Sequence, residues 1–371
     1  MKDKLRIAIL GCRGYPSTYS GYETFIGELA PRLAAKGHEV TVYCRKSLFD
    51  ERPPVYRGVN LRYLPSIETK NFGTLTHTFV SVLDAVFRRF DVLFFVNPGN
   101  GFHCILPRLL GKRIALNVDG LEWTRGKWGS LARTYFKSAA RCATIFCQEI
   151  VNDSLEMQRI YLEEWNCPST YIAYGAPIES SENPELIREF NLEPGEYYLI
   201  ASRIIPENHP DLIAEAFSGL NTTKKLVIAG GANYQSPLME KLRNWPDPRV
   251  IALGHVDSDE KIKELHCNCY AYVHGHSVGG TNPSLLKALG YGNCVVALDV
   301  PFNREVIGDY GILFQRDVGD LRAKLEDLES HPKKAALFRQ RAPERIKEAY
   351  TWEKITVQYE ELFRKMAGSS G

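Results

Sequence analysis

The chain has 371 residues, 44% of them hydrophobic and 24% charged, with a formal net charge of +2. That balance belongs to a folded globular protein, and the length accommodates two domains of ~100–200 residues. No stretch approaches the ~20 apolar residues of a membrane-crossing helix, the start MKDKLRIAILGCRGYP lacks a signal-peptide core, and no nucleic-acid partner is expected.

The first strand expected in chain order is Ile7–Leu10, followed by a glycine loop and a helix over Tyr22–Lys36. Phe25, Ile26, Leu29 and Leu33 fall on one face of that helix. Gly37 ends it, and His38–Cys44 reads as the next strand. Further apolar runs at Val92–Val96, Ile114–Val118 and Thr144–Cys147 are expected strands. Helical patterns lie near Thr74–Arg89, Gly129–Arg141 and Asp153–Glu163. The alternation restarts after Tyr174–Pro177, with strands at Tyr197–Ala201, Leu226–Ala229, Val250–Leu253, Cys269–Val273 and Cys294–Leu298. Helices are expected near Pro210–Ser218, Pro237–Arg243, Ser258–His266 and Pro283–Tyr291, and the segment Pro332–Met366 is helical in pattern. Strands alternating with helices imply parallel sheets covered on both faces. The reading is α/β, with two doubly wound Rossmann-like domains facing a central cleft. Domain one is 1–176, domain two is 177–350, and 351–367 is a last helix.

The nine cysteines are odd in number and scattered, which reads as reduced, mostly buried thiols in a cytoplasmic protein. Charge is uneven along the chain. Residues 1–180 carry 23 Lys/Arg against 17 Asp/Glu, and residues 181–371 carry 23 against 27. The basic excess is densest from Arg108 to Arg141, among Trp123, Trp128, Tyr135 and Phe136. Such a mixture suits an anionic membrane surface or a phosphate-bearing lipid, or else an ordinary solvated helix face.

The chemistry concentrates in three places. In Val273–Gly292 an apolar strand ends in His274-Gly275-His276 and runs into a glycine pair, Gly279 and Gly280, then Thr281-Asn282-Pro283-Ser284 and a helix. Asn282 is a natural N-cap and Pro283 suits the first helical position. Free backbone N–H groups and the helix dipole favour a phosphate there. The second place is Ser202–His209, where Arg203 follows a strand and offers a bidentate grip on a diphosphate. The third is Asn117–Trp123, where Asp119 ends a strand and could orient a hydroxyl or accept its proton. The glycine loop Gly11–Gly21 lacks the spacing of a dinucleotide or P-loop site. His274 and His276 have no third ligand at metal spacing, so no metal is expected.

Taken together, these segments resemble the GT-B glycosyltransferases of family four. The residues that carry the resemblance are Tyr19-Ser20-Gly21-Tyr22-Glu23-Thr24-Phe25, Gly37-His38-Glu39-Val40, Arg203 with Asn208, and Gly279–Ala288. More narrowly, ILGCRGYP, NVDGLEW, RIIPEN and HGHSVGGTNPSLL are similar to a bacterial subgroup containing β-1,4-rhamnosyltransferases of surface polysaccharide assembly. The resemblance implies retaining, metal-independent transfer from a nucleotide sugar, dTDP-β-L-rhamnose foremost, with a UDP-hexose donor or a non-catalytic binding partner as alternatives. It implies a lipid-diphosphate-linked or oligosaccharide acceptor, contact with the inner-membrane surface, and no cofactor. Asp119 and Arg203 become the candidate catalytic residues. Gly11, Arg13, Gly14, Tyr15, Gly21, Glu207, Asn208, His274, Gly279, Gly280, Thr281, Asn282, Ser284, Leu285 and Lys287 become the candidate donor contacts. The chain departs from the wider family pattern at Asn208, where a lysine is usual, and at Gly279 and Lys287, where glutamates are usual.

Overall fold

Short β-branched and aromatic runs bounded by glycine turns build two parallel sheets. The computed structural model describes residues 4–16, 21–69, 73–124, 128–231 and 236–368. The chain divides into two units, Met1–Tyr174 with Trp352–Gly371, and Gly175–Thr351.

The strands of the first unit are β1 (Arg6–Leu10), β2 (Glu39–Arg45), β3 (Val55–Tyr56), β4 (Val59–Leu64), β5 (Val92–Val96), β6 (Ile114–Val118), β7 (Glu149–Asn152) and β8 (Thr170–Tyr171). They lie in the order β3-β4-β2-β1-β5-β6-β7-β8, parallel except for the β3–β4 hairpin. Helices α1 (Gly21–Ala35), α2 (Gly73–Val86), α3 (Ile105–Leu109), α4 (Ser130–Phe146) and α5 (Leu155–Trp165) connect them. Every residue of β5 and β6 is buried, which is why both read as unbroken apolar runs rather than alternating ones.

The short elements β8 and α3 were not expected, and two larger features of this unit differ from the sequence reading. Thr144–Cys147 is not a strand. Ala139, Ala140, Cys142 and Ala143 form a buried face, so α4 runs on to Phe146 and β7 begins only at Glu149. Burial of a helical face outweighs the β-propensity of Thr-Ile-Phe. The β3–β4 hairpin has no counterpart in the expected strands. Its two-residue turn, Arg57-Gly58, has both residues at positive φ (46° and 77°), the geometry that Tyr-Arg-Gly-Val offers.

The second unit contains β9 (Tyr197–Ala201), α6 (Pro210–Ser218), β10 (Lys225–Ala229), α7 (Pro237–Arg243), β11 (Val250–Gly254), α8 (Asp259–Asn268) and β12 (Ala271–His274). These are followed by α9 (Pro283–Gly290), β13 (Val295–Leu298), α10 (Pro301–Ile307), β14 (Ile312–Phe314), α11 (Val318–Ser330) and α12 (Pro332–Arg345). Its all-parallel sheet runs β11-β10-β9-β12-β13-β14. The order reverses between β9 and β12, and a doubly wound sheet opens its ligand crevice at such a point. α10, β14 and α11 were not expected from sequence; the apolar parts of the first two are too short to show a period.

The last helix, α13 (Trp352–Gly368), packs in the first unit. Phe25 of α1 meets Tyr359 with ring centroids 5.4 Å apart, and Phe94 of β5 meets Phe363 at 5.3 Å. Buried Asn117 donates to the Tyr359 hydroxyl at 3.0 Å, and Glu360 accepts from Lys36 at 2.8 Å. The helix therefore supplies core that α1 and β5 would otherwise expose to water.

Candidate functional site

In the second unit, the loops that follow β9 and β12 are sewn together at the point where strand order reverses. The backbone N–H and the hydroxyl of Ser277 both donate to the Glu207 carbonyl, at 3.0 and 2.9 Å. The His209 ring lies 2.9 Å from the Gly275 carbonyl. Gly275 has to be glycine, because a Cβ there would stand 2.3 Å from the Asn208 carbonyl oxygen. Asn208 is buried and its amide donates to the Arg203 carbonyl at 2.7 Å, closing the Arg203–Asn208 turn on itself. The Arg203 side chain is exposed on the outside of this turn.

The β12 loop then delivers the start of α9. Asn282 caps the helix as its sequence implies: its side-chain oxygen accepts the Ser284 N–H at 2.9 Å, so that N–H is already satisfied. Pro283 occupies the first helical position. Gly279 adopts φ +132° with nothing within 4 Å of where a Cβ would stand, which leaves its backbone approachable. His276, Gly280, Asn282 and Asn303 line a hollow beside it, and Asn303 donates to the His276 carbonyl at 3.0 Å. The two tied loops carry an exposed arginine, Arg203, and a helix amino terminus, that of α9. Such a pair suits an anion with two charged groups.

Four candidates sit differently from expectation. Leu285 is completely buried, so its side chain serves the core. His274 is 1% exposed, stacked on His276 with centroids 4.1 Å apart, and its Nε2 has no hydrogen-bond partner among the described residues. It forms a wall behind the loop instead of a contact on its surface. Lys287 is half-buried on the second turn of α9, where its charge reaches His266. Thr281 is buried beneath the loop.

Burial alone pushes His274 down to about 3, and burial foremost holds His266 near 4. Both are neutral at pH 7. In the unfolded chain each would take a proton near 6.5, whereas the folded protein refuses it until far lower pH. Stability is therefore complete above pH 6.5 and drains as pH falls, by about 2 kcal/mol for each imidazole at pH 5. Thermal unfolding followed from pH 7.5 to 5 should show a falling midpoint, and His274→Gln should flatten that slope.

In the first unit the equivalent reversal lies between β1 and β5. The Asn100 amide donates to the carbonyls of Val96 (2.8 Å) and Gly11 (3.3 Å). A Cβ on Gly11 would meet Asn100 Nδ2 at 2.5 Å, and one on Gly14 would meet Cys44 Cβ at 2.8 Å. These glycines have a packing reason of their own. Tyr15 is buried, edge-on to Tyr56 at 5.4 Å. The Arg13 N–H donates to buried Glu23 at 3.1 Å. Gly21 begins α1, while Tyr19 and Ser20 of the expected motif lie outside the described residues.

Asp119 stands at the end of β6 and accepts a hydrogen bond from the Tyr22 hydroxyl. Loss of solvent, then the Asp119 charge, raise the Tyr22 phenol, and Glu122 and Asp153 add to the rise. The carboxylates at the ends of β6 and β7 thus converge on one phenol. Tyr22 and Asp153 are site residues that sequence reasoning did not assign to this role. The pairing of β6 with β7 brings Asp153 towards Asp119, and the placement of α1 brings Tyr22 to it. Among the described residues, no cluster of three or more His, Cys, Asp or Glu has metal-holding geometry.

Residues 183–345 match the family described as glycosyl transferases group 1, and residues 102–177 match a domain of unknown function, DUF1972. No curated protein matches the chain. Among solved structures, Anabaena Alr3699/HepE in complex with UDP is similar at 15% identity, with a TM-score of 0.78, covering 97% of this chain and 100% of that one. Sucrose-phosphate synthase from Thermosynechococcus elongatus is similar at 16% identity, with a TM-score of 0.81, covering 99% and 100%. The catalytic domain of starch synthase IV from Arabidopsis thaliana, bound to ADP and acarbose, gives 13%, 0.75, 99% and 100%. The fold is that of the GT-B glycosyltransferases, and the stretch similar to glycosyl transferases group 1 falls within the unit Gly175–Thr351.

Proposed function

We propose that the protein is a retaining glycosyltransferase that moves a sugar, foremost L-rhamnose from dTDP-β-L-rhamnose, onto a lipid-diphosphate-linked or polysaccharide acceptor in bacterial surface glycan assembly. The observation that carries the reading is the union of the Arg203 turn with the loop that starts α9, stitched through Ser277–Glu207 and His209–Gly275. That union supports a diphosphate grip in which Arg203, the backbone of Gly279 and Gly280, and the α9 dipole stabilise the charge of the leaving group. Asn208 holds the Arg203 turn, and Glu207 joins it to the β12 loop. Thr281, Asn282 and Ser284 shape the helix start, and Lys287 is the nearest cation along α9.

Transfer with retention needs no nucleophile from the protein. The acceptor hydroxyl attacks the anomeric carbon from the side the diphosphate leaves, the carbon–oxygen bond to the diphosphate breaks, and the hydroxyl proton passes to a diphosphate oxygen. No step requires a metal or cofactor. Rate then comes from positioning and charge stabilisation. Asp119, whose carboxylate accepts from the Tyr22 hydroxyl, is the first unit's own candidate for orienting a hydroxyl bound by that unit.

A UDP-hexose donor is the second reading, favoured by Lys287 at a position where the resembling family usually carries a glutamate, and by the UDP-glucose complex of Anabaena HepE. Saturation-transfer NMR with dTDP and UDP decides between them. The rhamnosyl reading expects stronger transfer to dTDP. A clear preference for UDP removes it, and silence with both removes the donor site.

A further inference from the structure

Sugar transfer has no use for a thiol, yet Cys104, Cys142, Cys147 and Cys167 gather in the first unit, all within the segment that matches the domain of unknown function. Of the nine free cysteines, Cys147 is the half-buried one and the other eight are buried. The packing of α4 against the short helical segment Pro98–Cys104 brings Cys147 to Cys104. A Cβ on Gly99 would stand 2.8 Å from the Phe136 ring, and one on Gly101 would stand 1.9 Å from the Ala139 carbonyl oxygen and 3.1 Å from the Ala143 nitrogen. The Tyr135 hydroxyl fastens the start of this contact by donating to the Gly99 carbonyl at 3.0 Å. The contact therefore climbs α4 as the segment advances. One turn of the segment beyond Gly101 is Cys104, and one turn of α4 beyond Ala143 is Cys147.

The two thiols are hydrogen-bonded to one another. Cys104 is completely buried, and its thiol also lies 3.8 Å from the Asn100 carbonyl, to which it donates. Burial foremost pushes the Cys104 thiol up, followed by the bond to Cys147, the Cys147 charge and then Cys142. Burial and then Cys147 raise Cys142 and Cys167 as well, so Cys147 is the neighbour that the other three share. The Cys147 N–H donates to the Ala143 carbonyl at 2.9 Å, which holds the residue on the last turn of α4. Cys12 with Cys44, and Cys269 with Cys294, are neighbours too, but all four are buried and offer a reagent no way in.

We propose that Cys104 and Cys147 are an oxidation site, a thiol pair that hydrogen peroxide closes into a disulfide in the folded protein. Peroxide meets the half-buried thiol first. The Cys147 sulfur attacks one peroxide oxygen, the oxygen–oxygen bond breaks, and the departing oxygen leaves as water with the thiol proton, so that Cys147 becomes a sulfenic acid. The Cys104 sulfur then attacks that of Cys147. The sulfur–sulfur bond forms, the sulfur–oxygen bond breaks, and the hydroxyl leaves as water with the Cys104 proton. Two thiols are oxidised by one electron each, and one peroxide is reduced to two waters. The new bond fixes to α4 the segment that carries Asn100, whose amide holds the Gly11 and Val96 carbonyls. The proposal does not depend on the sugar-transfer reading.

The test is peptide mapping of the full chain after reduction, removal of the reductant and exposure to hydrogen peroxide, with free thiols alkylated before digestion. Wild type should yield a peptide pair joined through Cys104 and Cys147, and dithiothreitol should separate it. Cys12, Cys44, Cys269 and Cys294 should be recovered alkylated. Cys147→Ser should slow the loss of titratable thiols at least about tenfold, because the solvent-facing sulfur is gone. Cys104→Ala should leave Cys147 as a sulfenic acid that dimedone captures. Should Cys104→Ala fold poorly, the wild-type map and Cys147→Ser decide alone. The oxidised chain should unfold at a midpoint no lower than the reduced one, since closing a loop of ~40 residues removes entropy from the unfolded chain. The proposal is overturned if Cys147 is recovered joined to any other cysteine, if it passes to sulfinic acid with Cys104 still free, or if the buried thiols of the second unit oxidise as fast. A midpoint lowered by oxidation overturns it equally, because the thiols would then meet only in a distorted fold.

Discussion

Replacing Arg203 by alanine should lower turnover by about 10²–10³-fold, the loss that follows removal of one donor aimed at developing charge. The residue follows the carboxyl end of β9 with its side chain exposed, so the protein does not need it for its core. Its backbone carbonyl, which alanine keeps, anchors the Asn208 amide. The variant should therefore fold with an unfolding midpoint close to wild type, while kcat falls more than nucleotide affinity. Arg203→Lys should recover only part of the loss, because an ammonium cannot reproduce the two-pronged grip of a guanidinium. Steady-state kinetics with a nucleotide sugar and a synthetic lipid-linked acceptor check this. Wild-type turnover in the alanine variant would place the diphosphate elsewhere.

Gly230→Ala should be the most damaging single methyl in the second unit. Gly230 follows β10 at φ +144°, a region closed to ordinary side chains. A Cβ there would stand 1.8 Å from the Ser202 carbonyl oxygen, and the residue's own N–H donates to the Gly254 carbonyl at 2.7 Å. The strand ends must separate to admit the methyl, which is expected to cost about 3–5 kcal/mol. Ser202 is joined directly to Arg203. A displacement of even ~1 Å there should lower transfer by a further ~10²-fold in whatever protein remains folded. Gly37→Ala is the comparison: it has a positive φ (+93°) but nothing within 4 Å of its Cβ, so it should cost only the backbone term of about 1–2 kcal/mol. Urea unfolding of the two variants reads the difference. Equal midpoints would mean that the β9–β10 crossing is looser than these distances allow.

Much of the second unit was legible because its strands are continuous apolar runs and most of its helices open on proline. Tyr197–Ala201, Pro210–Ser218 and Pro237–Arg243 fall where the pattern puts them. The Asn282 cap was legible for the same reason: capping is chemistry between neighbours in sequence. Thr144–Cys147 shows where such reading stops, since a local preference for strand gave way to a buried helical face. Tyr22 and Asp153 show the same limit for function. Each is an ordinary residue in sequence and becomes part of the Asp119 environment only through β6–β7 pairing and the placement of α1.

The sequence by itself determined the alternating α/β architecture, the glycine positions and the capped start of α9. These depend on backbone freedom, periodicity and hydrogen bonds between near neighbours. Only the tertiary structure decided that Leu285 and His274 face inward, that Gly11 and Gly14 are packing glycines, and that the Arg203 turn is tied to the β12 loop. Those outcomes depend on which strands lie side by side, and strand order is set by the burial of whole faces, a sum that no short window of residues contains.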